Sequence, residues 1–281
     1  MKRYVCINGE LLEAEKAKIS VYDRGLIYGD GFFTTMRSEK GKIFFFEEHL
    51  ERLKYCCDCF KIRFPERLNE KEIFRKLISL NGLEDSVAAV KVMITRGSLK
   101  EEKGLPYGET PTWIIFAKRY HIPEEKYNEG FYLVPFKLKR STPLAFYKSL
   151  NYLYNMWAKD YAVNLGADDS ILIGYDGYVK ETSTGAIIFR KDGLWFTPYG
   201  DDILPSITLK MLRRVWSERG IKIKEKNVTV EELKESEQIF VLNSLIGVMP
   251  VRRIEERVFK KDLVFAEKSR NWLWEYARSL S

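Results

Sequence analysis

Histidine is nearly absent from this sequence, with only His49 and His121 in 281 residues. Cysteine is scarce too. Cys56, Cys57 and Cys59 sit almost side by side, where a helix would splay them, and Cys6 lies far away. A zinc site needs four ligands at characteristic spacing, so no metal is expected and the cysteines read as reduced packing residues. No apolar stretch approaches the roughly 20 residues that span a bilayer. Met1-Lys2-Arg3 leads straight into a strand-like run instead of a signal-peptide core, which gives the expectation of a soluble, cytoplasmic protein. Internal repeats and low-complexity blocks are missing as well. Charge is not strongly one-sided: Lys+Arg 47 against Asp+Glu 40 leaves +7. Basic and acidic residues interleave, as from Glu47 to Lys54, so no stripe for a phosphate backbone forms and nucleic acid is not an expected partner.

The chain is 45% hydrophobic and 31% charged, the mix of a globular protein. At roughly 100–200 residues per domain its length suits two domains. Tyr4 to Ile7 and Leu11-Leu12 flank Asn8-Gly9, a hairpin signal, and Phe32 to Arg37 and Ile43 to Phe46 flank a second turn. A helix follows from Glu47, because Leu50, Leu53, Cys57 and Phe60 recur on one face. Asn69 is expected to cap the next helix, with Glu72 as its capping-box partner. Strands over Val87–Thr95 and Trp113–Ala117 bracket a polar loop, Gly97 to Thr110, which reads as a lid. A linker is expected at 121–130, around Pro123 and Gly130, between an N-terminal domain over 1–120 and a C-terminal one over 131–281. Downstream come a strand at Phe131–Phe136, a helix over about Asn151–Leu165, strands near Ser170–Ile173, Gly177–Val179, Ala186–Phe189 and Leu194–Thr197, and a helix after Pro205-Ser206. Further strands are expected near Ile221–Glu225 and Gln238–Leu242, and a last helix from about Lys261 to Ser279. Mixed helices, strands and hairpins make both domains α+β, or mixed α/β.

Three places could carry chemistry. Lys148 sits among aromatic and aliphatic residues from Ala145 to Leu153, and burial would lower its pKa as a Schiff-base lysine requires, although lysines also snorkel over apolar surfaces. Glu181 ends a hairpin strand before Thr182-Ser183-Thr184-Gly185; it is either an exposed strand-end carboxylate or an anion that keeps a ring nitrogen protonated. Pro205-Ser206 opens a helix whose first amides, at Ile207 and Thr208, point outward, which makes either an ordinary capped helix or a phosphate site.

Taken in order, six segments resemble the class IV, or fold-type IV, pyridoxal-phosphate enzymes, which include branched-chain and D-amino-acid aminotransferases and aminodeoxychorismate lyase. The segments are Asp23-Arg-Gly-Leu-Ile-Tyr-Gly-Asp-Gly-Phe-Phe-Thr-Thr35, Glu48-His-Leu-Glu-Arg-Leu53, Lys148-Ser-Leu-Asn-Tyr152, Asp176-Gly-Tyr-Val-Lys-Glu181, Leu204-Pro-Ser-Ile-Thr208 and Asn243-Ser-Leu-Ile-Gly-Val-Met-Pro-Val251. The resemblance covers nearly the whole chain and implies a two-domain fold like that of D-amino-acid aminotransferase, with pyridoxal 5'-phosphate as cofactor. It implies that Lys148 is the Schiff-base lysine and Glu181 the partner of the pyridine nitrogen. Arg52, Ile207, Thr208 and Ser244 would hold the phosphate, and Tyr152 the ring hydroxyl. It also implies a homodimer.

Within that family, Thr34-Thr35 stand where aminotransferases more often carry an acidic residue and a small apolar one. The pair, with the 243–251 stretch, looks most like aminodeoxychorismate lyase, in which a threonine at the position of Thr35 relays a proton beside the lysine. The implied reaction turns 4-amino-4-deoxychorismate into 4-aminobenzoate and pyruvate, a step toward folate, with Lys148 as general base. The alternative is an aminotransferase on the same scaffold, acting on branched-chain or D-amino acids with a 2-oxo acid. Relatives usually carry Asn at the position of Ala186, so the neighbouring loop must be supported from elsewhere. The lid lacks the second arginine that relatives use for carboxylates; Lys100 and Lys103 are its candidate substitutes, and Arg96 reads as structural.

Overall fold

The computed structural model describes residues 3–98 and 104–280. The chain forms two compact units, one of residues up to 121 with 147–151, the other of 122–146 and 152–279. This division departs from the expected 1–120, 121–130 and 131–281. Residues 124–129 form a helix within the second unit, and the lysine segment belongs to the first.

The first unit contains β1 (Tyr4–Ile7), β2 (Glu10–Glu13), α1 (Arg24–Tyr28), β3 (Gly31–Glu39), β4 (Lys42–Ile43), α2 (Phe46–Cys59), α3 (Lys71–Leu80), β5 (Val87–Thr95) and β6 (Thr112–Arg119). Its six-stranded sheet runs β2-β1-β6-β5-β3-β4, with every pair antiparallel. Asn8 and Gly9 both adopt positive φ, 51° and 92°, as the tight β1–β2 turn demands. Strand alternation sends Phe32, Thr34 and Met36 to one face of β3. Phe32 and Met36 join the core that α2 and α3 close with Leu50, Leu53, Cys57, Phe74 and Leu77. Phe33 and Thr35 therefore share the opposite face.

Two local expectations change. β4 ends at Ile43, and Phe45 takes a left-handed φ of 54° as the N-cap of α2, which lets Phe44, Phe45 and Phe46 all bury. Asn69 does not cap α3. It closes a 3-10 turn over Glu66–Asn69 and donates to Glu66, leaving Glu70 at the N-cap without a capping side-chain hydrogen bond.

The 147–151 segment is stitched along the first half of β3. Phe33 N–H donates to Lys148 O at 2.8 Å, Leu150 N–H donates to Gly31 O at 2.9 Å, and Phe32 bridges Ser149. This backbone ladder is why Lys148 belongs with a strand more than a hundred residues upstream.

The second unit contains α4 (Glu124–Glu129), β7 (Phe131–Pro135), α5 (Leu153–Asn164), β8 (Asp169–Ile173), β9 (Val179–Thr182), β10 (Ala186–Lys191), β11 (Leu194–Pro198) and α6 (Ile207–Ser217). β12 (Ile223–Lys226), α7 (Val230–Lys234), β13 (Gln238–Asn243), β14 (Gly247–Ile254), β15 (Arg257–Val258) and α8 (Leu263–Leu280) complete it. The sheet runs β12-β11-β10-β13-β14-β7-β8-β9, parallel at β11–β12, β14–β7 and β7–β8, and is therefore mixed. Trp195, Trp216, Phe240 and Phe265 pack their rings together beneath it, with the Trp195 centroid 5.0 Å from both Trp216 and Phe240. β14 was not expected. Gly247 and Pro250 disguise it, yet its first five residues are buried, and Pro250 lies just before the first rung to β7 at Val251.

Candidate active site

In the first unit, Lys148 is half-buried, and its Nζ stands 4.8 Å from the centre of the Phe33 ring. Its own backbone is fixed by β3 and by the thiol of Cys56, which accepts a hydrogen bond from the Lys148 amide. The amine is thus carried on an irregular segment that strand and helix both hold in place.

Thr34, on the other face of β3, meets α2. Its hydroxyl accepts from Arg52 Nη2 at 3.0 Å and lies 2.6 Å from Nδ1 of His49. His49 is 1% exposed, and burial, followed by the charges of Arg52 and Lys148, holds its pKa well below 6.5. The imidazole is therefore neutral at physiological pH. Thr35 is half-buried on the Phe33 face, directly across from Lys91 of β5. Lys91 Nζ lies 4.2 Å from the Phe33 ring centre and has no carboxylate partner among the described residues. Burial, with help from Lys118, lowers its pKa. Two amines thus address one aromatic ring.

In the second unit, Glu181 on β9 is 5% exposed, so it is not a solvated strand end. Arg140 Nη2 donates to its Oε1 at 2.8 Å and to the carbonyl of Asp202 at 3.0 Å. A charge-assisted bond of this kind fixes the orientation of the carboxylate. The Nε of Arg140 has no partner among the described residues.

Ser206 caps α6 by accepting from the Leu209 amide at 3.3 Å. The amides of Ile207 and Thr208 lie in the first turn and have no acceptor within the helix. Ser244 sits in the β13–β14 turn, which Asn243 Oδ1 organises by accepting from the amides of Leu245 and Ile246, each at 3.0 Å. The Tyr152 hydroxyl donates to the carbonyl of Ser183 at 3.2 Å. Support for the loop before Ala186 comes from Asp169, fully buried, which accepts from the hydroxyls of Ser183 and Thr184.

Arg96 is fully buried, binds both oxygens of Asp30, and donates to the carbonyls of Phe60, Lys61 and Pro106. That is a structural arginine. Lys100 and Lys103 lie outside the described residues.

Sequence reasoning missed His49, Lys91, Arg140 and Asp169 as members of these clusters. His49 stood inside a quoted motif, and its rarity was a usable signal. Lys91 could have been noticed as the one charge in the run from Val87 to Thr95. Arg140 ends the basic run Lys137 to Arg140, and nothing there marks it as buried.

Taken separately, the first unit carries an amine on a fixed segment, and the second a buried carboxylate bound to an arginine and donors at a helix N-terminus. The Amino-transferase class IV family profile matches residues 31–254. The D-alanine aminotransferase of Staphylococcus epidermidis is 31% identical over 254 residues, 89% of each chain. A putative branched-chain-amino-acid aminotransferase of Methanocaldococcus jannaschii is 29% identical over 271 residues, 94% of this chain and 91% of that one. The fold superimposes on the branched-chain amino acid aminotransferase of Escherichia coli with a TM-score of 0.86 and 23% identity, over 95% of this chain and 93% of the other. Class IV aminotransferases depend on pyridoxal phosphate. With four-fifths of its length inside the family profile, this chain belongs to the class IV aminotransferases.

Proposed function

We propose that the protein is a pyridoxal-phosphate-dependent aminotransferase that moves an amino group from a small amino acid, of the D-alanine or branched-chain kind, to a 2-oxo acid. The observation that carries this reading is the placement of the Lys148 amine against Phe33. The named relatives, all of them aminotransferases, favour it over the lyase that Thr34-Thr35 suggest.

When bound, the cofactor supplies an electron sink for the bond broken at the substrate's amino-bearing carbon. The residues of this chain do the rest. Lys148 would hold the cofactor's aldehyde, and its amine would move the proton at the substrate's amino-bearing carbon. Glu181, held by Arg140, keeps the ring nitrogen protonated. Arg52, the amides of Ile207 and Thr208, and Ser244 bind the phosphate as donors, and Tyr152 steadies the ring's polar edge. Lys91 offers its ammonium to a substrate carboxylate, and partial burial excludes the water that would weaken that contact.

We also propose a homodimer. Val21, Tyr22 and Leu26 are each 69% exposed in the first unit, and Leu153 is 81% and Trp157 55% exposed in the second, large apolar side chains that a partner surface would cover. Sedimentation at micromolar concentration should give twice the chain mass.

One observation favours the lyase as a second reading. Thr35 shares a strand face with Phe33, the ring that Lys148 approaches, so its hydroxyl is on the side where a proton relay would be useful. The test is to supply the reconstituted protein with D-alanine or L-leucine plus 2-oxoglutarate, and separately with 4-amino-4-deoxychorismate alone. Amino transfer that needs the oxo acid is expected. Pyruvate released from aminodeoxychorismate without any oxo acid would install the lyase instead.

A further inference from the structure

Thr34 is 1% exposed, and among the described residues its hydroxyl has two polar neighbours: Nη2 of Arg52 at 3.0 Å and Nδ1 of His49 at 2.6 Å. A guanidinium only donates, so the single Thr34 proton has one place to go, the lone pair on His49 Nδ1. Were that nitrogen protonated, Thr34 would face two donors and strand its own proton in a dry site. His49 must therefore be the neutral tautomer with its hydrogen on Nε2, in keeping with the depression of its pKa by burial and by two nearby cations. The bonds then run in one direction, from Arg52 to Thr34 to His49, and each strengthens the next.

We propose that Thr34 and His49 are positioning residues for Arg52, a hydroxyl–imidazole relay that fixes the guanidinium plane toward the cofactor phosphate without neutralising its charge. This inference rests on the cofactor reading above. A carboxylate at position 34 would also orient the arginine, but would offset part of its positive charge. A neutral relay does the first without the second. His49 and Arg52, three residues apart on α2, present neighbouring side chains to Thr34, and β3 packs on that helix.

The test compares two aldehydes that differ only in the phosphate. Apoprotein is titrated with pyridoxal phosphate and with pyridoxal, following absorbance. Thr34→Val should weaken binding of the phosphorylated form about tenfold, the worth of one hydrogen bond to a charged group, and leave pyridoxal within about threefold. Thr34→Ser should restore wild-type affinity. His49→Leu should reproduce the selective loss and His49→Asn, which keeps an acceptor near the place of Nδ1, should not; this second pair decides the matter if Thr34→Val folds poorly. Equal losses for both aldehydes, or no loss for either, overturn the inference alone. Wild-type protein that takes up neither aldehyde overturns the cofactor reading and this inference with it.

Discussion

Two buried arginine–carboxylate pairs, one in each unit, differ in how completely they are closed. Asp30 in the first unit accepts from Nε and Nη2 of Arg96 and from Nε of Arg24, while the remaining nitrogen of Arg96, Nη1, faces three backbone carbonyls. Burial alone would raise the Asp30 pKa, but the bonds from Arg96 and Arg24 outweigh it and the net shift is downward. In the second unit, Arg140 reaches Glu181 through one nitrogen, and its buried Nε has no partner among the described residues. A closed network serves the fold. One that leaves a polar atom unmatched keeps capacity for a ligand or for adjustment.

The largest expected effect falls on the closed pair. Arg96→Ala leaves Asp30 with Arg24 as its one remaining arginine and strands three carbonyls, and should cost about 3–5 kcal/mol in chemical denaturation while leaving turnover of the folded fraction nearly unchanged. A large loss of turnover at full folding would blur the distinction between the pairs. Next, Glu181→Gln should lower kcat roughly 10²–10³-fold, the usual cost of losing one preorganised electrostatic contact, with a smaller loss of stability than Arg96→Ala. If stability fell and kcat did not, Glu181 would be structural too.

Smaller still, Lys91→Met should raise KM for the amino acid about tenfold with little change in kcat, since a single charged contact is worth about that much. Because burial lowers the Lys91 pKa, the wild-type KM should begin to rise at a pH below the ordinary lysine range, and Lys91→Met should lack that limb. The least effect concerns acid stability. Asp30 has a depressed pKa in the folded state, so its contribution is complete above the unfolded carboxylate pKa and is lost as pH falls through the folded value. Asp30→Asn should flatten that part of the stability profile.

Much of the fold was legible because its signals are local. Asn8-Gly9 gave the first hairpin, Ser206 the start of α6, and the apolar stripe of α2 its buried face. What stayed hidden depends on distance. Lys148 joins β3 through backbone bonds that no side-chain pattern announces, so sequence order placed it in the other unit. Asn69 was a plausible cap until Pro65 and Glu66 drew it into a 3-10 turn. The real capping box, Thr229 with Glu232, opens a helix of five residues, too short for periodicity to reveal. Lys148, Glu181 and Arg52 stood in recognisable motifs, whereas Arg140 and Asp169 gain meaning only from partners 41 and 14 residues away, a relation no local window contains.

The central claim is that one amine, that of Lys148, holds the cofactor. Reduction of the reconstituted protein with borohydride, followed by peptide mass mapping, reads this directly. The account predicts one pyridoxyl group per chain, on the peptide that contains Lys148, and none in Lys148→Ala. A label on Lys91 or another lysine in its place, or undiminished labelling and turnover in Lys148→Ala, would contradict it.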